Sequence, residues 1–68
     1  MQMLLRLYNL ETDNGTVEEY PILFDVESEE EAEENEAYYQ MAMNYAAEDL
    51  GCEVHSFEYY EWEETENA

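Results

Sequence analysis

The chain has 68 residues, of which 20 are Asp or Glu and only one, Arg6, is Lys or Arg, so its formal net charge is −19 at pH 7. A chain of this length forms one small domain. Because DNA, RNA and anionic lipid headgroups are themselves negative, the charge excludes them as direct ligands and indicates a basic protein partner.

The apolar residues indicate a folded protein. They make up 46% of the chain and follow periodic patterns, which favours a folded domain over the disorder that a high net charge otherwise indicates. We expect no signal peptide and no membrane span, because no apolar stretch approaches about 20 residues. The single cysteine, Cys52, allows no intramolecular disulfide and fits a reducing compartment. A cytoplasmic location is therefore predicted.

A β-hairpin is predicted near the N-terminus, because Asn14-Gly15 readily supplies the positive φ angles that both centres of a type I′ turn require. With these two residues at the turn, three apolar pairs share one face of the sheet: Met3–Val26, Leu5–Phe24 and Leu7–Ile22. The opposite face then carries Leu4, Arg6, Tyr8 and Leu10. Pro21 cannot donate to a strand ladder, so the second strand is expected at an edge.

One continuous helix is predicted from residue 29 to Leu50. Ser28 is a good N-cap, and Glu31 stands three residues later, as in a capping box. Gly51 suits the position after the last helical residue. At about 100° per residue, one stripe forms the expected core face. Its members are Ala32, Tyr39, Ala42, Met43, Ala46 and Leu50.

Residues 53–62 predict a third strand, because they are rich in β-branched and aromatic side chains. Their alternation is ambiguous, and either a bulge or coverage of both faces would account for it. A right-handed crossover places this strand beside the first. The predicted fold is therefore α+β: a single ββαβ domain over residues 1–62, followed by an acidic C-terminal tail at 63–68. Its sheet is three-stranded and mainly antiparallel, in the order 2-1-3, with one helix packed on one face.

The main functional pattern is a density of acidic residues that no Lys or Arg interrupts. Six glutamates fall between residues 29 and 36, and repulsion between such neighbours raises their expected pKa values. Glu48 and Asp49 stand where the helix dipole disfavours negative charge. Since duplex DNA carries one charge per about 1.7 Å, the net charge of −19 matches about 30 Å of duplex. The carboxylates predicted to mimic phosphates are Glu29, Glu30, Glu33, Glu34, Glu36, Glu48 and Asp49.

Two acidic-aromatic segments carry a resemblance to a known class of proteins. They are Ser28-Glu29-Glu30-Glu31-Ala32-Glu33-Glu34 and Tyr59-Tyr60-Glu61-Trp62-Glu63-Glu64. With these segments, its size and its charge, the chain resembles the small acidic DNA-mimic inhibitors of phages and mobile elements, which include anti-CRISPR and anti-restriction proteins. Such mimics share a charge distribution rather than a motif or a fold. The resemblance implies an inhibitor that blocks the basic groove of a defence nuclease or effector complex, such as CRISPR-Cas or a restriction enzyme, in the host cytoplasm.

Aromatic side chains are the second candidate feature. Tyr38, Met41 and Tyr45 lie roughly opposite the expected core stripe, and Tyr, Trp and Met are enriched in protein interfaces. Tyr38, Tyr45 and Trp62 are therefore predicted to anchor the partner. Packing against another element of the same chain and homodimerisation through this face are the alternatives.

No cofactor, metal site or enzymatic activity is predicted. Cys52 and His55 have a C-x₂-H spacing, but a zinc site needs further Cys or His ligands and the chain has none. The carboxylates are too numerous to single out an acid–base pair, and the chain is short for a substrate pocket. The alternative function is an acidic adaptor or an antitoxin-like protein that docks on a basic partner without mimicking DNA.

Overall fold

Two helices and four strands make up the fold in the computed structural model, which describes residues 1–65. In chain order they are β1 (Gln2–Thr12), β2 (Gly15–Asp25), α1 (Glu29–Glu34), α2 (Ala37–Leu50), β3 (Val54–Ser56) and β4 (Tyr59–Glu64). β1 is central and pairs antiparallel with β2 on one side and with β3 and β4 on the other. The predicted α+β class and the central first strand are confirmed. The sheet has four strands rather than three.

The turn of the hairpin lies one residue earlier than predicted. Thr12 pairs with Gly15, so Asp13 and Asn14 are the central residues, and neither has a positive φ. Gly15 takes a φ of 116° after the turn, so the turn is not type I′. The Thr12 hydroxyl fixes this arrangement, because it accepts from the Asn14 N–H (3.1 Å) and donates to the Gly15 carbonyl oxygen (2.6 Å).

The register therefore differs from the prediction by two residues. The apolar pairs are Met3–Phe24, Leu5–Ile22 and Leu7–Tyr20. A shift of two residues keeps each side chain on its expected face, and both Leu5 and Phe24 are buried. Leu10 is the exception: it was expected beside Leu4 on the far side of the sheet, and it is fully buried in the core.

Asn9 causes this change of face. Its φ is 54°, the one positive value outside glycine among residues 1–65. Core-facing positions in β1 are odd-numbered up to Leu7 and become even-numbered at Leu10. The Asn9 side-chain amide donates to the Glu58 carboxylate (2.7 Å), which links the kink to the chain between β3 and β4.

The positive φ at Asn9 restricts which residues this position tolerates, and this can be tested. Replacing Asn9 by Val should lower the free energy of unfolding by about 1–3 kcal/mol, because β-branched residues are strained at positive φ. The control is Asn9→Gly, which loses the same side-chain hydrogen bond but adopts this φ without strain. Urea unfolding of both variants measures the difference. Equal losses would show that the hydrogen bond, and not the backbone angle, accounts for the cost.

The predicted single helix is broken at Asn35. Ser28 caps α1 as expected, since its hydroxyl accepts from the Glu31 N–H (3.1 Å). Asn35 then leaves the helical region, with φ −91° and ψ 103°. Its side-chain oxygen accepts from the Ala37 N–H (3.0 Å) and so caps the start of α2. Gly51 ends α2 in the left-handed conformation (φ 72°), as predicted.

The core lies between the sheet and the two helices. Its fully or nearly buried members are Met3, Leu5, Leu7, Leu10, Phe24, Val26, Ala32, Ala42 and Ala46. The helices contribute alanines, which allow a close approach to the sheet, and the larger volume comes from the strands. Tyr39, Leu50 and Trp62 pack against this cluster at its margin. Five of the six predicted stripe residues thus belong to this cluster or pack against it; Met43 is not among them.

The third predicted strand is interrupted at residues 57–58. Val54 packs against the core before the break, Phe57 does so within it, and Trp62 does so after it. The Glu58 N–H donates to the Tyr8 carbonyl (3.0 Å), which holds the break against β1. β4 runs to Glu64, two residues beyond the expected end of the domain. Residues 66–68 of the predicted tail lie outside the described part of the chain.

Candidate functional site

The carboxylates lie almost entirely on the surface. Within residues 1–65, every Asp and Glu is exposed except Glu31, which is half-buried. The single Arg6 is already paired: its guanidinium lies 3.3 Å from Glu19 and 3.1 Å from Glu63. Since the sequence contains no Lys and no second Arg, the other carboxylates have no such cation to pair with. Apart from the N-terminal ammonium beside Asp25 (3.4 Å) and the His55 ring beside Asp13 (2.7 Å), the negative field therefore extends over the surface with little local compensation.

The first acidic group lies on α1. Glu29, Glu30, Glu33 and Glu34 are all exposed on this short helix, and Glu36 follows in the connection to α2. An open cleft of ≈ 490 Å³ is lined by Ser28, Glu29, Glu30 and Glu33. The structure thus brings the first five predicted contact residues into one acidic region. We call Glu29, Glu30, Glu33, Glu34 and Glu36 the α1 acidic group.

Glu31 belongs to the same run but has a structural role. Its carboxylate accepts from the Asn35 side-chain amide (3.0 Å) and from the Tyr38 hydroxyl (2.8 Å). These hydrogen bonds, the one from Asn35 first, lower the pKa of Glu31. The expectation that crowding raises pKa values in this run is therefore wrong for Glu31, because the two donors stabilise its charged form.

The lowered pKa of Glu31 predicts a pH effect. A folded-state pKa below the unfolded value stabilises the fold at pH values above the unfolded pKa, and that stability is lost as the pH falls through the folded pKa. The difference in melting temperature between the wild type and Glu31→Gln should shrink as the pH drops from about 6 to about 3.5. The matched control is Glu30→Gln, since Glu30 is exposed on the same helix. A constant difference for Glu31→Gln would contradict this role.

The second acidic group, Glu48 and Asp49, lies in the last turn of α2. Both residues are exposed. The Asp49 carboxylate accepts from the Tyr20 hydroxyl (2.8 Å), so it joins the helix end to β2. This hydrogen bond gives Asp49 a structural role at the end of α2, which the sequence did not indicate. At about 1.5 Å rise per residue, Glu48 lies about 18 Å along α2 from Glu36 at the start of this helix.

The three predicted aromatic anchors have different surroundings. Tyr38 was expected to face away from the core, but its ring packs edge-on against Phe24 (5.3 Å between centroids). Trp62 also packs against the core, and its indole N–H donates to the Tyr39 hydroxyl (3.1 Å). Tyr45 remains 51% exposed on α2. Of the three, Tyr45 has the surface position that an anchor needs.

The face of the sheet turned away from α2, here called the open face, was not singled out from the sequence. Its polar and aromatic residues are Arg6, Tyr8, Glu19, Tyr59, Glu61 and Glu63. The Tyr8 and Tyr59 rings stack with centroids 4.5 Å apart, and the Tyr8 hydroxyl donates to Glu61 (3.2 Å). The alternation of residues 59, 61 and 63 could have indicated that they share this face. The sequence left open which face each side chain of this segment occupies, because it did not show where the strand is broken.

Cys52 and His55 do not form a common site. Cys52 is half-buried after α2, whereas the exposed His55 ring lies 2.7 Å from the Asp13 carboxylate. That hydrogen bond raises the pKa of His55. Within the described range, no three His, Cys, Asp or Glu side chains converge to hold a metal ion. In the same range no helix is long and apolar enough to cross a membrane.

The dispersed negative charge predicts a salt effect on stability. Raising NaCl from about 0.05 M to about 0.5 M should raise the melting temperature by several degrees, because salt screens repulsion between exposed carboxylates. Thermal melts followed by circular dichroism measure this. The same series at about pH 4, where many carboxylates are protonated, should show a smaller rise. A melting temperature that falls with added NaCl would contradict net repulsion.

No protein-family model, curated protein or solved structure significantly matches this chain.

Proposed function

We propose that this protein is a nucleic-acid mimic that inhibits a basic nucleic-acid-binding protein or complex by occupying its groove. The observation that carries the proposal is the exposure of nearly all carboxylates while the single arginine is paired within the chain. Such a surface attracts Lys and Arg side chains over a distance and accelerates encounter with a basic groove. The best-motivated target class is a phage-defence nuclease or effector complex, such as CRISPR-Cas or a restriction enzyme.

The dimensions of the molecule support mimicry of a short duplex. Its longest axis is 35 Å, which is close to one helical turn of DNA, about 34 Å. Nearly all the net charge lies on the described residues, with Glu66 outside them. Spread along that axis, it amounts to one negative charge per roughly 2 Å, compared with about 1.7 Å in duplex DNA. The similar charge density suits a groove built to hold phosphates.

Both acidic groups contribute carboxylates to the proposed contact with the basic groove of the partner. The α1 acidic group presents several carboxylates on one short helix, and Glu48 presents another about 18 Å from Glu36 along α2. Two patches at this separation can engage two sets of basic side chains in one groove. Asp49 takes part while also accepting from Tyr20. Inhibition is then steric and competitive, and neither a cofactor nor catalysis is involved.

A competition measurement tests the proposal. The partner is first isolated by affinity pull-down from a bacterial lysate and identified by mass spectrometry. Its labelled nucleic-acid ligand is then titrated with increasing amounts of this protein. A mimic raises the apparent dissociation constant of the nucleic acid in proportion to its own concentration. If the partner binds both ligands at once with unchanged affinities, the mimicry proposal is wrong and the acidic adaptor takes its place.

A further inference from the structure

The open face carries a cleft that the two acidic groups do not include. It has a volume of ≈ 520 Å³ and is lined by Tyr8, Asn9, Glu18, Glu19 and Tyr59. We call it the tyrosine cleft. Tyr59 is 52% exposed, although tyrosine rings of this size ordinarily gain from burial. The cleft thus combines an exposed aromatic wall with carboxylates, on the side of the sheet that α2 leaves uncovered.

A cation is the ligand that this combination suits. The faces of aromatic rings carry negative charge density and attract a cation within about 6 Å of the ring centroid. Within residues 1–65, no hydrogen bond or ion pair engages the Glu18 side chain, so its carboxylate is available to a ligand. The same face already holds one guanidinium, since Arg6 lies between Glu19 and Glu63. The open face therefore has both the carboxylates and the exposed tyrosine ring needed to accept a second guanidinium group.

We propose that the tyrosine cleft binds the guanidinium group of an arginine side chain presented by the basic partner. This inference rests on the proposed function, because that function supplies the partner. The planar guanidinium can stack on a tyrosine ring while its N–H groups donate to Glu18 or Glu19. A lysine ammonium is a more strongly hydrated point charge and stacks less well.

The other occupants are disfavoured by charge. A second copy of this chain brings its own net charge of −19 to the face, so the two copies repel. A nucleic-acid base could stack on the tyrosines, but its phosphates would meet Glu18, Glu19 and the surrounding negative field. An arginine is attracted by both the rings and the carboxylates. Charge and ring chemistry thus select the same ligand.

The test compares two labelled peptides of equal length and charge, one of arginines and one of lysines, by fluorescence anisotropy at fixed salt. The wild type should bind the arginine peptide about two- to fivefold more tightly, the range expected for stacking of a cation on an exposed ring. Tyr59→Leu should abolish that preference. Tyr59→Phe keeps the ring and should retain it, as should Tyr60→Leu, which removes an exposed tyrosine that packs against Tyr39 on the other face of the sheet.

A second measurement uses only the wild-type protein, so it does not require any variant to fold. Titration with acetyl-arginine amide should shift the ring resonances of Tyr8 and Tyr59 in NMR spectra of the wild type, and acetyl-lysine amide should shift them less. Equal affinities for the two peptides, or an unchanged preference in Tyr59→Leu, would overturn the inference. So would unshifted ring resonances.

The outcome is separable from that of the proposed function. If this protein excludes nucleic acid from its partner but shows no arginine preference, the cleft inference alone fails. If the arginine preference is present but nucleic acid is not excluded, the mimicry proposal alone fails.

Discussion

Trp62→Ala should lower the free energy of unfolding by about 3 kcal/mol, the lower end of the range measured for truncating buried aromatic side chains, because Trp62 is half-buried. Trp62 packs against the core from β4, near the rings of Phe24 (6.1 Å between centroids) and Tyr38 (5.8 Å). Its indole N–H also donates to the Tyr39 hydroxyl. In a domain of this size, about 3 kcal/mol corresponds to a fall in melting temperature of about 15 °C. Thermal and urea unfolding of the variant measure both quantities.

Two controls separate packing from other effects. Trp62→Phe retains most of the apolar volume and loses the hydrogen bond to Tyr39, so it should cost about 1 kcal/mol. Tyr45→Ala truncates an aromatic that is 51% exposed and should change stability by less than about 1 kcal/mol. If Trp62→Ala left stability unchanged, Trp62 would not be part of the core. That result would instead support the prediction from the sequence that Trp62 is a surface anchor for the partner.

The elements of the fold that local chemistry determines could be predicted from the sequence. Ser28 and Gly51 mark the ends of the helical region because each has a strong preference for its cap. The alternation from Met3 to Leu7 identified the core face of this part of β1, because successive side chains of a regular strand point to opposite faces. Strand order followed from the single crossover available to a ββαβ chain. The first two inferences depend on residues and their immediate neighbours, and the third depends on the order of the elements along the chain.

The features that the sequence did not predict depend on competition between local backbone conformations of similar energy. Asn14-Gly15 favours one turn, but the Thr12 hydroxyl stabilises the turn one residue earlier. Asn35 sits in a helical run, but its backbone leaves the helical region and its side chain caps the helix that follows. Asn9 reverses the parity of a strand through a single positive φ. Asparagine tolerates helix, turn and left-handed conformations with small energy differences, so long-range packing decides among them.

The candidate site was predictable in charge but not in arrangement. Composition alone indicated a basic partner, because 20 acidic residues with one Lys or Arg cannot compensate one another. The division of the carboxylates into two groups depends on the break at Asn35 and on the length of α2. The tyrosine cleft joins Tyr8 to Tyr59 across 51 positions of sequence, and their pairing follows from the register of β4 on β1. Such a contact has no local signal.

Reversing charge in the α1 acidic group should slow association with the partner by about tenfold or more, because steering by complementary charge accelerates encounter by about 10- to 1,000-fold. The variant is Glu33→Lys with Glu34→Lys. Both residues lie in the last turn of α1, where positive charge suits the helix dipole, so the fold should tolerate the change. Dissociation should accelerate much less, since exposed charges act mainly on encounter.

Stopped-flow mixing with the isolated partner measures both rate constants. The matched control is Glu53→Lys with Glu64→Lys, which alters the net charge equally at exposed positions outside the two acidic groups. If charge acts only through the overall field of the protein, both double variants should slow association to the same extent. If the α1 acidic group contacts the groove, the Glu33/Glu34 variant should be slower and should also compete less well with nucleic acid. Equal rates for the two variants would exclude α1 as the contact, because a contacting carboxylate loses local pairing in addition to its share of the field.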